Sequence, residues 1–343
     1  VILTVAGLLG SRSLMIMLQT PENIFADGAL YLRIYIGGFA FVFLYNVATG
    51  VFTALGDSRT PLYFLIGSSV GNVLLDLLFV CVFHWGVAGV GWATFIALGI
   101  ACVLALFAVI FKLRQIRTAD KPELFSVQML GKIGRIAVPS ILQQSFISVG
   151  NIFIQGLVNS FGSSVIAGYS AAIKLNTFTI TSITTLGNGI SNFTAQNVGA
   201  GLPDRVREGF RAGLKLAIVV CIPFFAAFFL FGRQMTLLFM DEGSVSALNT
   251  GVEFLKIVSP FYFIISIKLI ADGVLRGAGT MAQFMISTFS DLILRVGLSF
   301  LLAIPLGTTG IWLSWPIGWV LGTGLSYGFY RSGCWNPLKT KEK

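Results

Sequence analysis

Ten stretches of this chain carry almost nothing but apolar side chains, near residues 1–10, 30–54, 61–82, 87–111, 135–159, 166–198, 210–232, 249–274, 279–304 and 307–330. A helix needs about 20 such residues to cross a hydrocarbon core of ~30 Å. The first stretch is a stub by that measure, and the other nine are full spans. Lipid offers the backbone no hydrogen-bond partners, so spanning segments must be helices or strands of a closed barrel. Continuous apolar runs, not alternating ten-residue ones, select helices. Charged residues make up 11% of the 343 residues, against about 25% in soluble domains. The fold class that follows is an all-α polytopic membrane protein.

The net charge of +9 does not point to nucleic acid, because the basic residues are confined to a few loops and the tail. Lys112, Arg114, Arg117, Lys121, Lys132 and Arg135 crowd one connection, Arg205, Arg207 and Arg211 another. Arg59 and Arg276 mark two short links, and Lys339, Lys341 and Lys343 the tail. The intervening loops near 19–29, 83–86, 160–165, 234–248 and 305–306 have no Lys or Arg. The positive-inside rule then predicts a cytoplasmic C-terminus. The scattered Cys81, Cys102, Cys221 and Cys334 and the lone His84 exclude the usual zinc-ligand spacing. No cofactor is expected. Trp85, Trp312 and Trp335 are expected at headgroup depth.

The chain repeats itself. Gly86-Val-Ala-Gly89-Val-Gly91-Trp92 in the first half is echoed by Gly307-Thr-Thr-Gly310-Ile-Trp312 in the second. In the same register Ala54-Leu55-Gly56 aligns with Leu275-Arg276-Gly277, with no gap between the matches. Internal repeats commonly build transporters, with the substrate site between the halves. The expected organisation is a partial first lobe at 1–111, an inter-lobe linker at 112–134, a six-helix second lobe at 135–331 and a basic tail at 332–343. The second copy has six spans and the first only three and a stub. The repeat therefore predicts that roughly two and a half helices precede residue 1 in the complete protein, and that the fragment alone does not transport.

Polar side chains within spans are costly and mark function by default. Asn72 and Asp76 fall one helical turn apart in span 61–82, and Asp76 is the only carboxylate there. It suits a proton or sodium relay, or a structural hydrogen bond between helices. Span 135–159 carries Ser140, Gln144, Ser148, Asn151 and Gln155 at helical spacing, and span 166–198 carries Thr177, Thr181, Thr185, Asn188, Asn192 and Gln196. Two uncharged polar stripes of this length predict a lined, water-accessible cavity, with Gln144, Ser148, Asn151, Asn188 and Asn192 as its substrate-facing residues. Lys268 with Asp272, and Asp291 with Arg295, read as local ion pairs one turn apart.

The runs Ala54-Leu-Gly-Asp57-Ser-Arg59-Thr-Pro61, Gly71-Asn72-Val-Leu-Leu-Asp76 and Gly86-Val-Ala-Gly-Val-Gly91-Trp-Ala-Thr94 resemble the first lobe of bacterial multidrug and toxic compound extrusion (MATE) exporters. Leu275-Arg276-Gly277-Ala-Gly279 and Gln196-Asn197-Val-Gly199-Ala-Gly201 resemble the second. The resemblance implies two pseudo-symmetric six-helix lobes in the inner membrane, rocking about a central cavity, with export driven by H⁺ or Na⁺. The DinF-like branch of the family places its coupling site where Asn72, Asp76, Thr94 and Tyr31 stand here, together with a first-helix Asp that lies upstream of this sequence. The acids and Tyr of the NorM-like branch align with Ile147, Ile265 and Phe261, so that second-lobe site is absent.

The expected function is antiport of amphipathic, often cationic small molecules by a monomer in the lipid bilayer. The alternative is a flippase of lipid-linked oligosaccharides from the same superfamily, which would prefer an Arg- and Lys-rich cavity for pyrophosphate. An enzyme is not expected.

Overall fold

The computed structural model describes residues 2–17, 22–116, 125–240 and 245–336. The middle of the basic linker, 117–124, and most of the basic tail, 337–343, lie outside the described residues. No strand occurs among the described residues, and the chain divides into two compact units, Val1–Pro122 and Glu123–Lys343.

The first unit contains α1 (Ile2–Met17), α2 (Glu22–Gly37), α3 (Phe39–Ala54), α4 (Arg59–Leu77) and α5 (Gly86–Gln115). The stub expected at 1–10 thus continues through Met17. The span expected at 30–54 is two helices that meet at 41°. The break falls at Gly37-Gly38, where no side chain stiffens the turn. Asp57 starts α4: its carboxylate accepts from the backbone N–H groups of Arg59 and Thr60, both at 3.1 Å, and from the Thr60 hydroxyl at 2.8 Å. These bonds, the Thr60 backbone N–H foremost, hold the exposed Asp57 carboxyl below its ordinary range. A π-helical turn, Leu78–Val82, ends the helix. Along α5 the buried residues Gly89, Ala93, Ala97, Ala101 and Ala105 form a small-residue stripe. Such stripes let membrane helices approach closely, and Ala48 and Phe52 of α3 pack with Ala105 and Val109.

The second unit contains α6 (Val127–Asn159), α7 (Ser163–Gly199), α8 (Pro203–Leu230), the short α9 (Gly232–Leu237), α10 (Val245–Val258), α11 (Tyr262–Gly277), α12 (Met281–Leu306) and α13 (Thr308–Ser332). A 3₁₀ turn at Ser259–Phe261 joins α10 to α11. Pro260, which has no N–H to give the helix, accounts for that interruption. α7 lies backbone against backbone on α11: a Cβ on Gly187 would stand 2.7 Å from the Leu269 carbonyl oxygen, and Gly273 faces the Gly187 carbonyl in return. The core holds Trp312, fully buried, stacked on Tyr169 at 5.2 Å and edge-on to Phe254 at 5.2 Å. Trp312 and Trp335, both expected at headgroup depth, are buried within the protein, Trp335 against Tyr330. Trp85 is half exposed beside Phe79 and Phe83.

Six of the described helices are long and apolar enough to cross a membrane, or seven counting the bent α2–α3 pair as one. α7 and α13 are not among them. At about 1.5 Å per residue both exceed a ~30 Å core in length. What lowers their hydropathy is the polar stripe of α7 and the Gly, Ser and Thr content of α13.

The repeat recurs as geometry. Leu55, Gly56 and Asp57 close α3 by donating N–H to the carbonyls of Val51, Thr53 and Phe52, and Ala278, Gly279 and Thr280 close α11 on Val274, Arg276 and Leu275. This is a Schellman-type cap, with Gly56 at φ 83° and Gly279 at φ 77°. The later glycine turns are Gly86 at φ 56° and Gly307 at φ 58°. The caps thus pair Gly56 with Gly279, whereas the turns keep the register that would pair Gly56 with Gly277. The gapless alignment is therefore out of step by two positions at the caps. The surplus sits in the π turn and the short link after it, which α12 lacks.

Candidate functional site

Two places collect the polar side chains that the sequence singles out. In the first unit, Tyr31 is on α2, Asn72 and Asp76 are on α4, and Thr94 is on α5. Asn72 Nδ2 donates to Thr94 Oγ1 at 3.5 Å, the long limit of a hydrogen bond. Asp76 Oδ1 is buried with no hydrogen-bond partner among the described residues, and no cation lies within ion-pair distance of it there. A carboxylate oxygen so placed is costly to leave without a partner. The structure thus ties Asn72 to Thr94 and sets Asp76 one turn along α4. It does not hydrogen-bond Tyr31 to any of the three; the Tyr31 ring stacks on Tyr35 at 6.1 Å.

In the second unit α6, α7, α11, α12 and α13 enclose a cavity of about 560 Å³, within the usual size for small-molecule sites. Gln144, Asn151 and Gln155 of the α6 stripe line it, as do Thr177, Thr181, Thr185 and Asn188 of α7. Ser148 and Asn192 do not. Ser148 lies at the edge of the lining face and donates to the Gln144 carbonyl of its own helix at 3.0 Å. Asn192 is exposed, one turn beyond Asn188. Ile147 and Ile265 also face the cavity.

The charged residues behave differently from expectation. Lys268 Nζ does pair with Asp272 Oδ2 at 2.7 Å, and both are buried. Ser287 and Ser326 donate to the other oxygen, Asp272 Oδ1, at 3.2 and 2.5 Å. Asp291 and Arg295 form no ion pair: Arg295 lies over the Trp315 ring at 4.4 Å, a cation–π contact that replaces the expected partner. Four polar atoms on this α12–α13 wall are buried without a partner among the described residues: Thr288 Oγ1, Asp291 Oδ1, Arg295 Nε and Trp315 Nε1. Gly318 and Gly322 of α13 make the room, since a Cβ at Gly322 would stand 2.8 Å from Lys268 Cε and 2.9 Å from Asp291 Cβ. At one end of the cavity Arg276 donates to Asn188 Oδ1 at 2.5 Å. Ser287, Ser326, Thr288 and Trp315 are the residues that the sequence reading missed, although Gln283, Ser287, Asp291, Arg295 and Ser299 follow at four-residue spacing on α12 and mark the face that carries Ser287 and its neighbour Thr288. For Ser326 and Trp315 on α13 the signal is polarity opposite that face, which spacing along α13 alone does not reveal.

The MatE family matches residues 1–78 and 139–301 of the chain. The chain belongs to the MatE family. MatE relatives include the probable multidrug resistance protein YpnP of Bacillus subtilis, 32% identical over 336 residues, covering 97% of this chain and 74% of that protein. The probable multidrug resistance protein NorM of Thermotoga maritima is 23% identical, covering 100% of this chain and 75% of the other. Among solved structures, a Vibrio cholerae MATE transporter superposes with a TM-score of 0.87 at 19% identity, covering 97% of this chain and 75% of that one. A Pyrococcus furiosus transporter of the MOP superfamily, whose binding pocket is described as reversed in polarity, gives 0.87 at 19%, covering 96% and 74%. The chain is thus a multi-pass membrane protein of a bacterial transporter family, not an enzyme, and the two-lobe MATE fold is the one expected from its sequence.

Proposed function

We propose that the protein exports amphipathic, often cationic small molecules in exchange for H⁺ or Na⁺ by alternating access. The observation that carries this reading is Asp76, a carboxylate inside a spanning helix with a buried, unpartnered oxygen, beside the Asn72–Thr94 contact. Such a group gains most from binding a proton or a small cation and loses most when left bare. Binding and release at Asp76 then supply the coupling energy, with Asn72, Thr94 and Tyr31 as its surroundings. The second-unit cavity, whose walls mix amides, hydroxyls, aromatic rings and aliphatic side chains, suits a ligand with both polar and apolar parts. Relatives named as multidrug resistance and multidrug export proteins support the same substrate class, and the flippase alternative is not favoured. The C-terminus is placed in the cytoplasm by its basic residues.

The test is efflux of ethidium and norfloxacin from efflux-deficient cells expressing the full-length gene product. The Asp76→Asn variant is expected to lose gradient-driven export of both while still reaching the membrane. Wild-type export by that variant sinks the coupling role.

A further inference from the structure

From the α12–α13 wall of the second-unit cavity we infer, resting on the transport reading above, that Arg295 is a substrate-binding residue that receives the anionic group of a zwitterionic substrate. Three independent observations lead there.

The first is charge balance. The cavity lining holds Lys268, Arg276 and Arg295 against Asp272 and Asp291. Asp272 is saturated by Lys268, Ser287 and Ser326. Asp291 forms no ion pair among the described residues: Lys268 and Asp291 both border Gly322, and Arg295 stands one turn away on its own helix. Arg276 has the neutral Asn188. Arg295 is left with no carboxylate within ion-pair distance among the described residues, and the lining as a whole is one positive charge in excess. A buried guanidinium with no ion-pair contact is costly and is satisfied by a ligand that brings a carboxylate to it.

The second is hydrogen bonding. Arg295 is 7% exposed, and its Nε is without a partner; Thr288 Oγ1 and Trp315 Nε1, on the same wall, are likewise buried donors with nothing to bond. Three buried donors without partners, on residues that line one cavity, fit a carboxylate, which accepts from several at once. The guanidinium plane resting on Trp315 fixes the fork that would receive it.

The third is the repeat. Counted from the caps at Gly56 and Gly279, Arg295 falls where the first unit has Asn72. Counted from the turns at Gly86 and Gly307, Trp315 falls where it has Thr94. The contact between α4 and α5 made by Asn72 and Thr94 is made between α12 and α13 by Arg295 and Trp315. The same rung of the fold thus lies one turn from a cation-binding acid in one unit and bears a fixed cation in the other. A substrate with a basic amine and an acidic group matches that pair of signs; a simple cation matches only one.

Equilibrium dialysis of the detergent-purified full-length protein tests this with norfloxacin, its methyl ester and ethidium, the ester lacking the carboxylate. Wild-type protein is expected to bind norfloxacin about tenfold tighter than the ester, as for one charge-assisted hydrogen-bonded contact. Arg295→Gln should abolish that preference, with a cooperative thermal melt in the same detergent showing that the variant is folded, and ethidium, which brings no carboxylate, should not bind more weakly to it than to wild type. Arg295→Lys should keep part of the preference, since the charge remains and the fork is lost. Equal wild-type binding of norfloxacin and its ester overturns the inference, as does a preference that survives Arg295→Gln. Carboxylate-dependent binding without any efflux from cells would uphold the inference and sink the transport reading instead.

Discussion

One helical turn of α11 separates Lys268 from Asp272, and the ammonium nitrogen lies 2.7 Å from Oδ2 with both side chains buried. The pair is part of a network, because Ser287 of α12 and Ser326 of α13 lie within hydrogen-bond distance of the second carboxylate oxygen and, at 2.8 Å, of each other, two hydroxyl protons serving the three contacts. Three helices are pinned at one carboxylate.

Removing the cation alone should be severe. Lys268→Met leaves Asp272 as a buried charge without its partner, a change of about 3–5 kcal/mol in comparable sites. Lys268→Met combined with Asp272→Leu should recover most of the loss, since Ser287 and Ser326 still satisfy one another. Thermal unfolding of wild type and the two variants in one detergent decides it. A single mutant as stable as the double contradicts the network.

The contact between α7 and α11 has no room for a methyl group. Gly273→Ala directs its Cβ at the Gly187 carbonyl, and overpacking of this kind costs about 1–3 kcal/mol. The melting temperature should fall, whereas Gly189→Ala, where nothing lies within 4 Å, should leave it nearly unchanged.

Asp57 gives a pH signature outside the membrane. Its carboxyl is held below the ordinary range, first by the Thr60 backbone N–H. The stabilisation is complete above the ordinary aspartate value and is lost as pH falls through the depressed folded-state value. Asp57→Ala should therefore melt earlier than wild type at neutral pH, and the two melting curves should converge in strong acid. A gap that persists there would assign the effect to something other than the ionised cap.

Thr94→Val removes the acceptor for Asn72 Nδ2 without adding bulk. Because that bond is long, at 3.5 Å, the expected effect on export is a few-fold loss of affinity for the coupling ion with maximal rate retained. Export measured against a graded external ion concentration reads this directly. Loss of maximal rate instead would make Thr94 a structural support.

The spans, the repeat and the polar helices were legible in the sequence because each is periodic along one segment. Asp76 stood out as an acid in an apolar run, and the α6 and α7 stripes did mark cavity walls. What stayed hidden was set between segments. Arg295 has Asp291 one turn away on its own helix, and nothing along that helix signals that Trp315 competes for it. Trp312 reads along its own segment as an aromatic at a helix end, and its burial against Tyr169 and Phe254 is set by other helices. The offset between caps and turns was invisible because Gly277 and Gly279 both offer a match to Gly56, and a positive φ distinguishes them.

That offset has a consequence for the wiring of the two halves. Counted from the α3 and α11 caps, the counterpart of Asp76 is Ser299, buried and hydrogen-bonded to Ser314 at 2.7 Å. A hydroxyl at that rung has no charge to gain or lose across the pH range of a cell. Duplication gave this chain the same floor plan in each half, but a side chain that can ionise stands at this level in one of them only.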